Sequence, residues 1–263
     1  AAAHGSPTGC SSLQRVNLGK ATDFDDGCMK EVPIGSEESK AKVLVHRHAG
    51  KFYVSSPACS HYGAPLKSGV STAGGRGGNP TVVCTLHDAA FDLTTGQVVR
   101  GPGIDGIPVY SCQVKDGVLY ADIPKDIVQG SKHEVVMRKM ASRSNKDKRV
   151  FAIVGGGCAA LAAAETLRQE GFEGRIMMLT KEQHLPYDRV RLSKSLDATV
   201  DQLQLRPAEF FDKYGIEVVK GATVTKLDSK GNEIQYSIGE DEKSETLKFD
   251  KVLVATGGTP REL

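Results

Sequence analysis

The chain has 263 residues, 34 basic against 32 acidic side chains, a formal net charge of +2, and 39% hydrophobic and 25% charged residues. That length accommodates two modest domains, each able to bury a core, and 29 glycines suit loops and nucleotide motifs. The near balance of charge excludes a broad basic field for nucleic acid, and no apolar run approaches the ~20 residues of a membrane-spanning helix.

Six cysteines, at 10, 28, 59, 84, 112 and 158, follow no disulfide spacing, which points to a reducing, intracellular compartment. The chain opens on Ala1 with nothing like a cleavable signal, so a segment upstream is expected. Residues 1–27 are rich in Gly, Ser, Thr and Asp and read as a disordered lead-in.

From Val32 the alternation tightens. Lys42 to Val45, a turn at 48–50 and Lys51 to Val54 form a β-hairpin pattern. Short strands are expected at Thr81–Cys84, Ala89–Asp92, Gln97–Val99, Val109–Val114 and Val118–Ala121, the last pair flanking the hairpin signal Asp116-Gly117. Many short strands between glycine-rich turns make residues 28–123 an antiparallel β domain.

Inside it lie Cys59-Ser60-His61, a spacer of 22 residues (62–83), and Cys84-Thr85-Leu86-His87. Two cysteines and two histidines in mixed pairs suit a [2Fe-2S] cluster with one iron on thiolates and the other on imidazoles. A Cys2His2 zinc site uses the same ligand types, but zinc motifs usually pair like with like.

This pattern resembles Rieske iron-sulfur domains, whose ligand loops read C-x-H and C-x2-H in this order. The resemblance implies that Cys59 and Cys84 bind the buried iron and His61 and His87 the outer one, with Gly101-Pro102-Gly103 in a third loop over the cluster. Two departures stand out: Ser60 and Thr85 occupy places usually held by proline. The spacer also carries a flexible insertion, Ala73 to Pro80. Ala64 and Thr85 cannot form the disulfide of high-potential relatives, while Ala89 and Phe91 replace their Ser and Tyr donors. Fewer hydrogen bonds to sulfur imply a potential near the low end of the Rieske range, roughly -150 mV.

Residues 124–149 are polar and basic and read as a linker, with a boundary near 145. Beyond them, Val150 to Val154 is a strand-length apolar run, followed by Gly155-Gly156-Gly157-Cys158-Ala159-Ala160, an Ala-rich helix to Arg168, and a strand from Arg175 to Thr180. Strand, G-x-G-x-x-A, helix, strand and acid in order form a dinucleotide fingerprint. Gly155 permits the turn, Gly157 lets backbone approach a pyrophosphate, and Ala160 permits close helix packing. Glu182, 25 residues after Gly157, is the candidate ribose acceptor.

Further motifs, His184-Leu185-Pro186-Tyr187-Asp188-Arg189, Leu192 to Leu196, Arg206 to Phe211 and Val252 to Gly258, resemble the FAD domain of apoptosis-inducing-factor-like and ferredoxin-reductase-type flavoproteins. The whole chain is similar to the Rieske-bearing branch of that family. The fold expected is therefore multi-domain: an all-β Rieske domain followed by a partial α/β Rossmann-like FAD-binding domain over 150–263. The resemblance implies that Arg189 contacts FAD and Lys194 lies beside the isoalloxazine as the catalytic cation. It also implies that Val224 presents backbone to the adenine, and that Ala255, Thr256 and Gly257 close over the cofactor.

The chain stops at Leu263, and a second G-x-G-x-x-G is not found, so NAD(P)H is expected only in the intact protein. The function implied is electron transfer between a flavin and the Rieske cluster, with an unspecified redox partner. The alternative is a Rieske ferredoxin-like carrier with a non-functional flavin fold. The family also implies a mitochondrial as well as a cytoplasmic setting.

Overall fold

The computed structural model describes residues 12–73, 78–239 and 244–258. It divides into two compact units, with the boundary between Arg138 and Lys139.

The first unit is built from eleven strands: β1 (Leu13–Lys20), β2 (Met29–Pro33), β3 (Lys42–His48), β4 (Lys51–Ser55), β5 (Val70–Thr72), β6 (Thr81–Val83), β7 (Ala90–Asp92), β8 (Val98–Arg100), β9 (Val109–Tyr110), β10 (Cys112–Lys115) and β11 (Val118–Pro124). They form three antiparallel sheets, in the orders β1-β11-β10, β2-β3-β4-β9 and β5-β6-β7-β8. A short helix, α1 (Lys125–Val128), follows β11.

Strand parity explains how one unit holds two cores. Side chains alternate across a strand, and in β3 Val43 and Val45 enter a core with Val16, Leu18, Phe24 and Leu119. Leu44, between them, enters another core with Leu66, Val82, Phe91, Cys59 and Cys84. The second core is the floor of the candidate metal site. Both expected hairpins form: β3 turns to β4 through Ala49 and Gly50 at positive φ, and β10 turns to β11 through Asp116 and Gly117.

Three expectations change. The disordered lead-in fails from Leu13 onward, because β1 pairs with β11 along its length and Val16, Leu18 and Phe24 are buried. Residues 1–11 lie outside the described residues, as do 74–77 of the expected insertion. The run Val109–Val114 is two strands in different sheets, β9 on β4 and β10 on β11, with the switch at Ser111. The stretch expected as a linker is tied down on both sides of the boundary. His133 bonds Tyr110 Oη and the Lys42 carbonyl, at 2.6 and 2.9 Å, and Val136 bridges Gly106. In the second unit Ala141 N bonds the Arg168 carbonyl and Met140 packs on the core.

The second unit contains β12 (Val150–Val154), α2 (Cys158–Gln169), β13 (Arg175–Thr180), α3 (Ala208–Tyr214), β14 (Ile216–Lys220), β15 (Ala222–Asp228), β16 (Glu233–Ile238), β17 (Ser244–Lys248) and β18 (Lys251–Val254). β14-β13-β12-β18 is a parallel sheet, and β15-β16-β17 is an antiparallel meander packed on it through Ala222, Ile234, Tyr236 and Leu247. Residues of β12 and β13 are buried on both faces, as central parallel strands require. Arg168, fully buried at the end of α2, donates to the carbonyls of Tyr214, Phe172, Gly174 and Gly215 and so satisfies a loop-rich end of the unit. Among the described residues no helix is long and apolar enough to cross a membrane.

Candidate functional sites

The two ligand loops of the first unit are built alike. Cys59 N donates to the Ala64 carbonyl and Gly63 N to the Cys59 carbonyl, at 2.8 and 2.9 Å. In the second loop Cys84 N donates to Ala89 and Asp88 N to Cys84, at the same distances. Each loop turns back at a residue of positive φ, Gly63 at 74° and Asp88 at 66°. Asp88 tolerates that region better than most side chains, and its carboxylate is paired with Arg100 at 2.6 Å.

This geometry sorts the four candidate ligands by type. Cys59 and Cys84 are each 3% exposed and their thiols hydrogen-bond one another. His61 is half-buried and His87 exposed, and their rings meet edge to face with centroids 4.9 Å apart. Tyr62 stacks on His61 at 3.7 Å. Burial pushes the Cys59 thiol up, opposed by backbone N–H groups of His61 and Tyr62 aimed at its sulfur. Among the described residues, no three His, Cys, Asp or Glu side chains gather round one point. Two buried thiols in contact and two imidazoles in contact, one of each from each loop, suit two irons with two protein ligands each.

The donors missing from the sequence are missing in space. Ala89 and Phe91 are fully buried beside the thiols and offer no hydroxyl, and Thr85 Oγ1 donates instead to the Ser68 carbonyl at 3.2 Å.

In the second unit Gly155, Gly157, Glu182, Ala255, Thr256 and Gly257 follow the carboxyl ends of the parallel strands β12, β13 and β18, where such sheets bind ligands. Gly155 has φ of +128°, and a Cβ there would lie 2.1 Å from the Ala255 carbonyl, so only glycine lets the turn after β12 pass the end of β18. Gly157 is different: a Cβ would meet nothing within 4 Å, leaving open space before the N-terminus of α2. Ala160 is fully buried against the sheet. Gly156, given no role by the motif, is required as well, since a Cβ would lie 2.4 Å from Thr180 Oγ1.

Glu182 and Arg189 are brought together as an ion pair of 2.8 Å, and Arg189 also donates to Tyr187 Oη at 3.1 Å and stacks over its ring. Glu182 holds the Arg189 guanidinium more firmly protonated. Pairing of 186–188 with 203–205, through Leu205 N to Pro186 O and Asp188 N to Leu203 O, holds this segment in place. Tyr187 lay within a motif but was not singled out; its position two residues before Arg189 was the available signal. Val224 sits on β15 where the register slips, half-buried. Thr256 and Gly257 are exposed beyond β18. Lys194 is exposed after a 3-10 turn, and among the described residues no ion pair joins its ammonium to this cluster.

Comparison with known proteins identifies both domains. Residues 14–111 match the Rieske [2Fe-2S] domain, and residues 149–263 match the pyridine nucleotide-disulphide oxidoreductase family. Apoptosis-inducing factor 3 of Homo sapiens is 38% identical over 243 residues, 92% of this chain and 38% of that protein. The ferredoxin–NAD(+) reductase subunit of the benzene 1,2-dioxygenase system of Pseudomonas putida is 40% identical over 114 residues, 43% of this chain and 27% of its own. Among solved structures, the covalent putidaredoxin reductase–putidaredoxin complex is similar at 30% identity and a TM-score of 0.40, over 44% of this chain and 28% of that one. The chain thus spans 38% of the first relative's length and 27% of the second's. The two families imply a [2Fe-2S] cluster and FAD as cofactors. The chain thus carries a Rieske [2Fe-2S] domain in its first unit and a pyridine nucleotide-disulphide oxidoreductase domain in its second.

Proposed function

We propose that the protein transfers electrons between a flavin held by the second unit and an iron-sulfur cluster held by the first. The observation that carries this is the pair of matching loops that bring two buried thiols into contact with each other and two imidazoles into contact with each other. Cys59 and Cys84, both buried, would hold one iron, and His61 and His87, of which His87 is exposed, would hold the other. When bound, the flavin supplies the exchange between two-electron and one-electron chemistry.

In the second unit, Gly157 leaves room for a pyrophosphate at the start of α2, where unsatisfied backbone N–H groups favour an anion. Glu182 accepts from a ribose hydroxyl while Arg189, oriented by Glu182 and Tyr187, contacts the dinucleotide. Lys194 would supply a cation to the flavin, and Val224, Ala255, Thr256 and Gly257 would supply backbone to the cofactor.

Spectra of the purified chain test this reading. The expected result is a Rieske absorbance and electron resonance signal on reduction, with flavin retained through gel filtration. A colourless, zinc-loaded protein would sink the cluster. Full cluster occupancy with no flavin would favour the simple Rieske carrier.

A further inference from the structure

We infer that Ser60 and Thr85 are positioning residues of the cluster cradle, each using its hydroxyl to tie a ligand loop to a neighbouring loop. The inference rests on the assignment of Cys59, His61, Cys84 and His87 as cluster ligands.

Ser60 lies between Cys59 and His61. Its Oγ donates to the Asp105 carbonyl at 2.6 Å, joining the first ligand loop to the loop 101–106. That loop lies directly on the site: a Cβ at Gly103 would meet Ser60 Oγ at 3.2 Å and the Phe91 ring at 3.5 Å. Its far end is anchored separately, by Gly106 to Val136 and by Ile107 N to the Gly96 carbonyl at 2.8 Å. The Ser60 bond therefore holds the part of the loop nearest the ligands.

Thr85 lies one residue after Cys84. Its Oγ1 donates to the Ser68 carbonyl at 3.2 Å, at the end of the 3-10 turn Leu66–Ser68 that follows the first ligand loop. The two hydroxyls thus link loop one to loop three and loop two to the exit of loop one. Neither link is covalent, and no disulfide joins the loops, since Cys59 and Cys84 are free thiols. A proline at either position would restrict φ but could not donate. Local rigidity has here been replaced by contacts between loops. The Ser60 bond is shorter and half-buried whereas Thr85 is exposed, so Ser60 carries more of the positioning.

The test compares the whole cluster-loaded chain with Ser60→Ala, Ser60→Thr, Thr85→Val and Thr85→Ser. Loss of the cluster to an iron chelator is followed by visible absorbance, the reduced cluster's g-values by electron resonance, and folding by circular dichroism. Ser60→Ala should lose cluster roughly five-fold faster, the worth of about one net hydrogen bond, with displaced g-values. Ser60→Thr should restore both, and Thr85→Val should show a smaller effect that Thr85→Ser removes. Wild-type loss rates and g-values in both Ser60→Ala and Thr85→Val would overturn the inference. If Ser60→Ala accumulates without cluster, Ser60→Thr decides: a retained cluster supports the role, a lost one refutes it. A wild-type chain lacking any cluster would instead remove the ligand assignment, and the inference with it.

Discussion

The imidazoles of His61 and His87 lie 26 residues apart in sequence yet meet edge to face, 82° between their planes, and the thiols of the same two loops are in mutual contact. If these four side chains share one cluster, losing any one should abolish it. His61→Ala and Cys84→Ser are expected to yield protein without Rieske absorbance but with flavin unchanged, because the two units have separate cores. Loss of flavin along with the cluster would count against independent units.

The site holds two peptide N–H donors to the Cys59 sulfur and no hydroxyl at 89 or 91. Reduction adds electron density to the cluster, and each donor to sulfur favours that state. A redox titration should give a potential of roughly -150 mV, and Phe91→Tyr should raise it. A wild-type value well above zero would contradict this account.

Gly155 and Gly157 separate folding from binding. Gly155→Ala places a Cβ against the Ala255 carbonyl at a positive φ, so it should destabilise the second unit by about 1–3 kcal/mol or more. Gly157→Val enters open space at an extended backbone, φ -87° and ψ -173°, so thermal stability should hold while flavin binding falls. Equal flavin occupancy in Gly157→Val and wild type would show that no phosphate approaches there.

Glu165 and Arg206 form a buried ion pair with two contacts, 2.8 and 3.0 Å. Removing Glu165 takes two charge-assisted contacts from a buried guanidinium. Glu165→Ala should cost about 3–5 kcal/mol in denaturant unfolding, whereas an apolar replacement of both residues should recover most of that loss.

His46 is fully buried, bonded through Nε2 to Ser55 Oγ at 3.0 Å, and burial lowers its pKa from 6.5 to about 4. The unfolded chain therefore binds a proton that the folded chain refuses. The stability is complete above pH 6.5 and declines as pH falls towards 4, by up to about 3 kcal/mol. His46→Gln should flatten that part of the stability curve, measured by urea unfolding between the two pH values. A slope unchanged by the substitution would assign the acid sensitivity elsewhere.

Chemistry in this protein is written locally. Cys-x-His, Cys-x2-His and Gly-x-Gly-x-x-Ala are short spacings whose meaning comes from ligand type and backbone freedom, and the hairpins at 49–50 and 116–117 come from turn residues beside alternating strands. Long-range pairing is not local. Leu13–Lys20 holds few apolar residues and reads as disorder, but it becomes a strand because β11, about a hundred residues away, supplies its hydrogen bonds and its core. The polar stretch after Ile123 reads as a linker because its anchors, Tyr110, the Lys42 carbonyl and the Arg168 carbonyl, are remote in sequence. The roles of Gly156, Tyr187 and the Ser60 hydroxyl likewise depend on Thr180, Arg189 and Asp105 arriving beside them. Local spacing named the candidate ligands and the candidate phosphate turn; folding brought the two candidate ligand loops together and supplied the contacts that hold them.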